Sequence, residues 1–217
     1  MINRRISCLM IALLGAHISM ASDIEVRVRG ADGEPVPNVV VFIKQAGVAA
    51  RSESQPVSAV MDQRDKSFVP HILVVERGTA VEFPNSDVVA HHVYSFSRPN
   101  DFVLPLYKGN SPEPVVLSHE GVVTLGCNIH DSMLGYIVVV DTDIQGLTNT
   151  AGGITLAVSD AAVEYEIGIW SPRIRDSKKP LLRSFSKIPD DVVTFNLEKS
   201  LRRGHVDQSD AVQWDDY

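Results

Sequence analysis

The chain has 217 residues, 44% of them hydrophobic, and its 27 acidic against 20 basic residues give a net charge of −7 at pH 7. That balance excludes the basic footprint that a binder of nucleic acid or anionic lipid needs. With only Cys8 and Cys127, a scaffold stapled by several disulfides is excluded as well.

The N-terminus has the pattern of an export signal. Arg4 and Arg5 supply the charged start, Ile6 to Leu14 the short apolar run, and Ser19-Met20-Ala21 the small residues of a cleavage site. A signal peptide is expected over residues 1–21, with a periplasmic or secreted product. The apolar run is short for crossing a bilayer, and no other segment reads as a membrane span. Removing 21 residues leaves 196, and losing Arg4 and Arg5 takes the charge from −7 to −9. Such a surface steers a positively charged partner toward itself. Cys8 leaves with the signal, so Cys127 becomes the single thiol of the exported chain. In an oxidising compartment a lone thiol either has a role or is a buried, inert hydrophobe.

After residue 22 the patterns are those of strands. Ile24, Val26 and Val28 alternate with charged residues, and Val39 to Ile43 is a fully apolar run beyond the turn Gly30-Ala-Asp-Gly-Glu-Pro35. Residues 45–57 are small and polar and read as a linker. Ile72 to Val75 and Ala80 to Phe83 flank Glu76-Arg-Gly-Thr79 and are expected to form a hairpin. A strand is expected over His92 to Phe96, a long loop over 97–114, and strands over Val122 to Gly126 and Tyr136 to Val140. In the last third, Ile154 to Val158, the alternating Val163 to Ile169, and Val192 to Leu197 read as strands. Residues 199–217 carry no pattern and read as a loose tail. The expected fold class is all-β.

The chemistry concentrates at Cys127-Asn-Ile-His130-Asp-Ser-Met133, between two expected strands. A type 1 copper site needs one thiolate, two imidazoles and a weak axial thioether. Cys127, His130 and Met133 bring three of these onto one tight loop, and the loop at 84–91 leads to a strand that can carry the second imidazole. Each residue also has a plain alternative as core or surface filler, but the coincidence around the one mature cysteine favours a metal. Structural zinc prefers four closed ligands with several cysteines, and methionine suits it poorly. A dithiolate-bridged copper pair lacks its second cysteine, and the His-x-His pairs of a multicopper oxidase are absent.

Residues 58–141 resemble the cupredoxins, the plastocyanin and amicyanin family. Asn85-Ser-Asp-Val-Val-Ala-His91-His-Val93 is similar to the family's Asn-x5-His-x-Val segment, and Gly126-Cys127 through Val140 is similar to its ligand loop and last strand. The resemblance implies His91, Cys127, His130 and Met133 as ligands of one type 1 copper, in a Greek-key β-sandwich. His92 is a rival for the first position, because it shares a strand face with Tyr94 and Phe96. His92 stands where the family usually has asparagine, and Ile129 where it usually has proline. His71, His119 and His205 read as exposed, Met61 as core and Asp131 as a solvated loop charge.

Ile24 to Ile43, Thr148 to Gly153 and Tyr165 to Trp170 resemble pieces of a carboxypeptidase-regulatory-like, prealbumin-like β-sandwich. The implied organisation is a first part at 22–46, the copper domain at 58–143, and the remainder at 144–198, so that the copper domain is inserted in a split sandwich. The simpler alternative folds 24–43 into the copper domain and leaves 146–198 as an appendage. The whole layout is similar to chains labelled methylamine-utilisation proteins. The leading expectation is a non-enzymatic carrier of one electron between redox partner proteins. The alternatives are copper handling as a chaperone, store or sensor, and a scaffold with a vestigial site.

Overall fold

The structure is a computed structural model that describes residues 21–47, 58–110, 112–175, 179–190 and 192–202. Residues 1–20 of the expected signal, 48–57 of the expected linker and 203–217 of the expected tail, with His205, lie outside the described residues. The described residues form strands and connecting turns, with no helix.

The strands sort into two sandwiches. In one, β1 (Ala21–Arg29) lies between β14 (Gly153–Ser159) and β17 (Val193–Asn196). Facing it is a four-stranded sheet in the order β13 (Gln145–Leu147), β2 (Val40–Ala46), β15 (Glu164–Trp170) and β16 (Leu181–Phe185). The inward residues of β1, Ile24, Val26 and Val28, meet Val41, Ile43, Ile167 and Ile169 in one core. Period-2 alternation in β1 and β15 places these side chains on a common face.

The second sandwich is built from the intervening chain. Its larger sheet runs β6 (Ile72–Glu76), β12 (Leu134–Val140), β11 (Gly121–Gly126), β8 (His91–Ser95), β9 (Phe102–Tyr107). Opposite lies the short sheet β10 (Val115–Val116), β7 (Ala80–Glu82), β3 (Ser58–Val60). A small hairpin, β4 (Asp62–Arg64) and β5 (Ser67–Val69), closes one side. Met61, Phe83, Val93, Leu125 and Ile137 are fully buried between the sheets.

The expected hairpin at 72–83 does not form. β6 pairs with β12, whereas β7 pairs with β3 and β10, so the chain crosses between sheets at Gly78 (φ 91°). Val75 and Val81 thereby enter one core from opposite sides, which a hairpin would prevent. The expected long loop at 97–114 contains β9. Pro105 interrupts its pattern, and there the register of β9 slips against β8 between His91 and Val93. The hairpin turn Asp65-Lys66 takes positive φ at both residues (50° and 57°) without a glycine, which hides it from a reading of the sequence.

The two sandwiches share a third, smaller core. Val40 and Phe42 point away from Val41 and Ile43, and pack with Ile72, Val138, Val140 and Trp170. β2 and the end of β12 are therefore buried on both faces, which is why both read as unbroken apolar runs. A Cβ at Gly168 would lie 2.1 Å from the Phe42 ring, so this strand needs glycine where Phe42 crosses it.

Candidate metal centre

One end of the second sandwich gathers the expected donors. The Nδ1 of His91 lies 3.8 Å from Cys127 Sγ and 3.1 Å from His130 Nδ1. The ligand atoms of these three residues all fall within 4.8 Å of one another. Donors held about 2.0–2.3 Å from a common ion at open angles are about 3–4 Å apart, so the cluster has the dimensions of a metal site. Cys127 and His91 are buried, whereas His130 is partly exposed. Met133 is also buried, in the same core cluster as Cys127, and its N–H donates to the His130 carbonyl at 2.9 Å.

Local structure explains the placement. β11 delivers Cys127 at its end and β12 begins at Leu134, so His130 and Met133 sit on the short connection between paired strands. A Cβ at Gly126 would lie 2.7 Å from the Tyr94 ring, which leaves room only for glycine before the cysteine. On β8, His91, Val93 and Ser95 face the core while His92 and Tyr94 face away. Alternation therefore decides between neighbouring histidines: His91 is in the cluster and His92 is on the opposite face.

The loop before His91 is held by side chains. Asn85 donates to the carbonyls of Val89 (3.0 Å) and Tyr107 (2.9 Å), and its Oδ1 accepts the Asp87 N–H. Asp87 Oδ2 lies 2.9 Å from His91 Nε2 and accepts the Lys66 N–H at 2.8 Å. The bond with His91 holds the Asp87 carboxyl down to about 2, helped by backbone donors from Lys66 and Val88 and opposed by burial. Behind the loop, Gln63 Nε2 donates to the Pro84 carbonyl (3.1 Å) and the Tyr107 hydroxyl, which in turn donates to the Phe83 carbonyl. Burial pushes the Tyr107 hydroxyl up to about 12.

Sequence reasoning misses Asp87, Gln63 and Tyr107. An acidic residue four positions before His91 is the available signal for Asp87; Gln63 and Tyr107 lie far away along the chain and give none. His119 and Asp131 are exposed and Met61 is core, as expected. His71 is instead partly buried, edge-on to Tyr136 at 5.5 Å between ring centres.

One thiol and two imidazoles, with Met133 buried on the same connection, make a soft, nitrogen–sulfur donor set that suits copper and lacks the several thiolates of a closed structural zinc site. No protein-family model matches the chain, and no curated protein matches it significantly. Among solved structures, it is similar to a purple cupredoxin from Nitrosopumilus maritimus (21% identity, 39% of this chain and 99% of that one, TM-score 0.34). A reduced mutant of amicyanin is 20% identical over 46% of this chain and 98% of its own, with a TM-score of 0.36. A copper-containing nitrite reductase from Thermus scotoductus SA-01 is 27% identical over 46% of this chain, with a TM-score of 0.37. The chain spans only 26% of that reductase.

Proposed function

We propose that this protein is an exported single-copper carrier that passes one electron at a time between partner proteins, and that its second sandwich is a cupredoxin domain inserted in the first. The observation that carries the reading is the convergence of the ligand atoms of His91, Cys127 and His130 within 4.8 Å of one another at one end of a β-sandwich. His91, Cys127, His130 and Met133 are the residues that would hold the copper. Bound there, copper supplies a one-electron Cu(II)/Cu(I) couple.

The chain's own groups do the rest. His91 is 0% exposed, Cys127 3% and Met133 2%, so three of the four ligands exclude water from the centre. Paired strands on both sides of the 127–133 loop limit how far the donors move when the charge changes. His130 is the partly exposed member and is the edge through which a docked partner exchanges the electron. Among the described residues no helix is long and apolar enough to cross a membrane. The export assignment rests on the pattern in residues 1–21.

The test is a copper(II) titration followed by visible absorption. One equivalent is expected to produce an intense thiolate-to-copper charge-transfer band that Cys127→Ser abolishes. Tight binding of copper(I) alone, without that band, would instead point to copper handling, and absence of stoichiometric binding would leave neither role.

A further inference from the structure

His91 presents one ring nitrogen to the cluster and the other to a carboxylate. Nδ1 faces Cys127 Sγ and His130 Nδ1, while Nε2 lies 2.9 Å from Asp87 Oδ2. Both partners are buried, the His91 side chain at 0% and the Asp87 side chain at 8% exposure. We propose that Asp87 is a positioning and tuning residue: its carboxylate accepts the Nε2–H of His91, leaves Nδ1 as the metal-facing lone pair, and lowers the reduction potential of the bound metal. This rests on the copper reading above for the potential, but not for the tautomer.

Asp87 is itself fixed for this role. Its Oδ2 takes the Lys66 N–H at 2.8 Å, its Oδ1 takes the Val88 N–H at 2.7 Å, and its own N–H goes to Asn85 Oδ1 at 3.0 Å. The Lys66 donor comes from the left-handed Asp65-Lys66 turn, which ties the β4–β5 hairpin to the loop that carries His91. The carboxylate is thus placed by two backbone segments and cannot swing away without breaking several bonds. A carboxylate on the remote nitrogen raises the basicity of a ligating imidazole and fixes its orientation. A buried negative charge one ring away from the metal favours Cu(II) over Cu(I), because screening by water is weak there. In the couple Cu(II) + e⁻ ⇌ Cu(I), the electron comes from a one-electron donor protein and the Nε2 proton stays on His91, shared with Asp87.

Two measurements separate this inference from the function it builds on. In Asp87→Asn an amide oxygen can still accept the hydrogen bond while the charge is gone. The expected result is an unchanged charge-transfer band with about a tenfold loss in the ratio of Cu(II) to Cu(I) affinity, which raises the potential by about 59 mV for one electron. A wild-type band with no change of potential in Asp87→Asn overturns the tuning role. A wild type without the band overturns the copper reading instead. Nitrogen-15 NMR of the metal-free wild type covers the case in which the variant fails to fold. His91 Nε2 is expected to carry a proton; an unprotonated Nε2 beside a protonated Nδ1 overturns the positioning role.

Discussion

Among the described residues of the sandwich of β1, β2 and β13 to β17, the buried core cluster is made of Ile, Val, Leu and Phe with one Tyr, and the buried polar residues are Thr148 and Ser171. In the sandwich of β3 to β12, Gln63, Thr79, Asn85, His91, Ser95 and Asn100 are all buried. Both have two facing sheets and a core of similar aliphatic residues, so architecture does not explain the contrast. Buried polar groups cost free energy unless hydrogen-bonded, and Gln63, Asn85 and His91 lie together under one loop with partners for most of their atoms. The first sandwich is optimised for packing, and the second holds polar side chains that support the loop carrying His91 into the cluster.

The contact between the sandwiches offers the largest perturbation. Trp170 is 2% exposed, lies 5.4 Å from the Tyr136 ring and fills the shared core with Val40, Phe42, Val138 and Val140. Trp170→Ala is expected to cost about 3–5 kcal/mol in urea unfolding. The copper band should survive in the folded variant, since no donor touches this core. Its loss would mean that the first sandwich shapes the site.

A smaller effect is expected at Tyr107, which supports the loop before His91 without joining the cluster. Tyr107→Phe leaves the Phe83 carbonyl and Gln63 Nε2 with one partner fewer, at about 1–3 kcal/mol. It should also change the response to alkali. The folded state holds the Tyr107 proton up to about 12, whereas the unfolded side chain ionises near its ordinary value of 10.0. Its contribution is therefore complete below pH 10 and is lost as pH rises toward 12. Urea unfolding from pH 9 to 12 should show a shallower decline in Tyr107→Phe than in wild type. Equal slopes would place the alkaline sensitivity elsewhere, for example at buried Tyr165, whose hydroxyl is also raised by burial.

Much of the strand pattern is legible in the amino-acid sequence. The longer strands follow directly from alternation or apolar runs, because a half-buried strand must alternate and a doubly buried one cannot. The elements that escape have physical reasons for doing so. β9 is broken by Pro105 and a bulge, β16 is an edge strand whose residues are mostly exposed, and β3 to β5 are three residues each. The 72–83 segment has every local mark of a hairpin, yet its strands pair with partners far away in sequence, a choice made by the core. At the site, Cys127 and His130 are legible because they share one loop. The choice of His91 over His92 depends on strand register, which one sequence leaves open, and Asp87 on a carboxylate reaching across four residues.

The two adjacent histidines therefore test the central claim most directly. His91→Ala and His92→Ala remove the same ring from neighbouring positions of one strand, one facing His130 at 3.1 Å and the other turned to the opposite face. With copper(II) added to each, His91→Ala should lose the charge-transfer band and His92→Ala should keep it. A band that persists in His91→Ala and vanishes in His92→Ala would contradict the proposed ligand set.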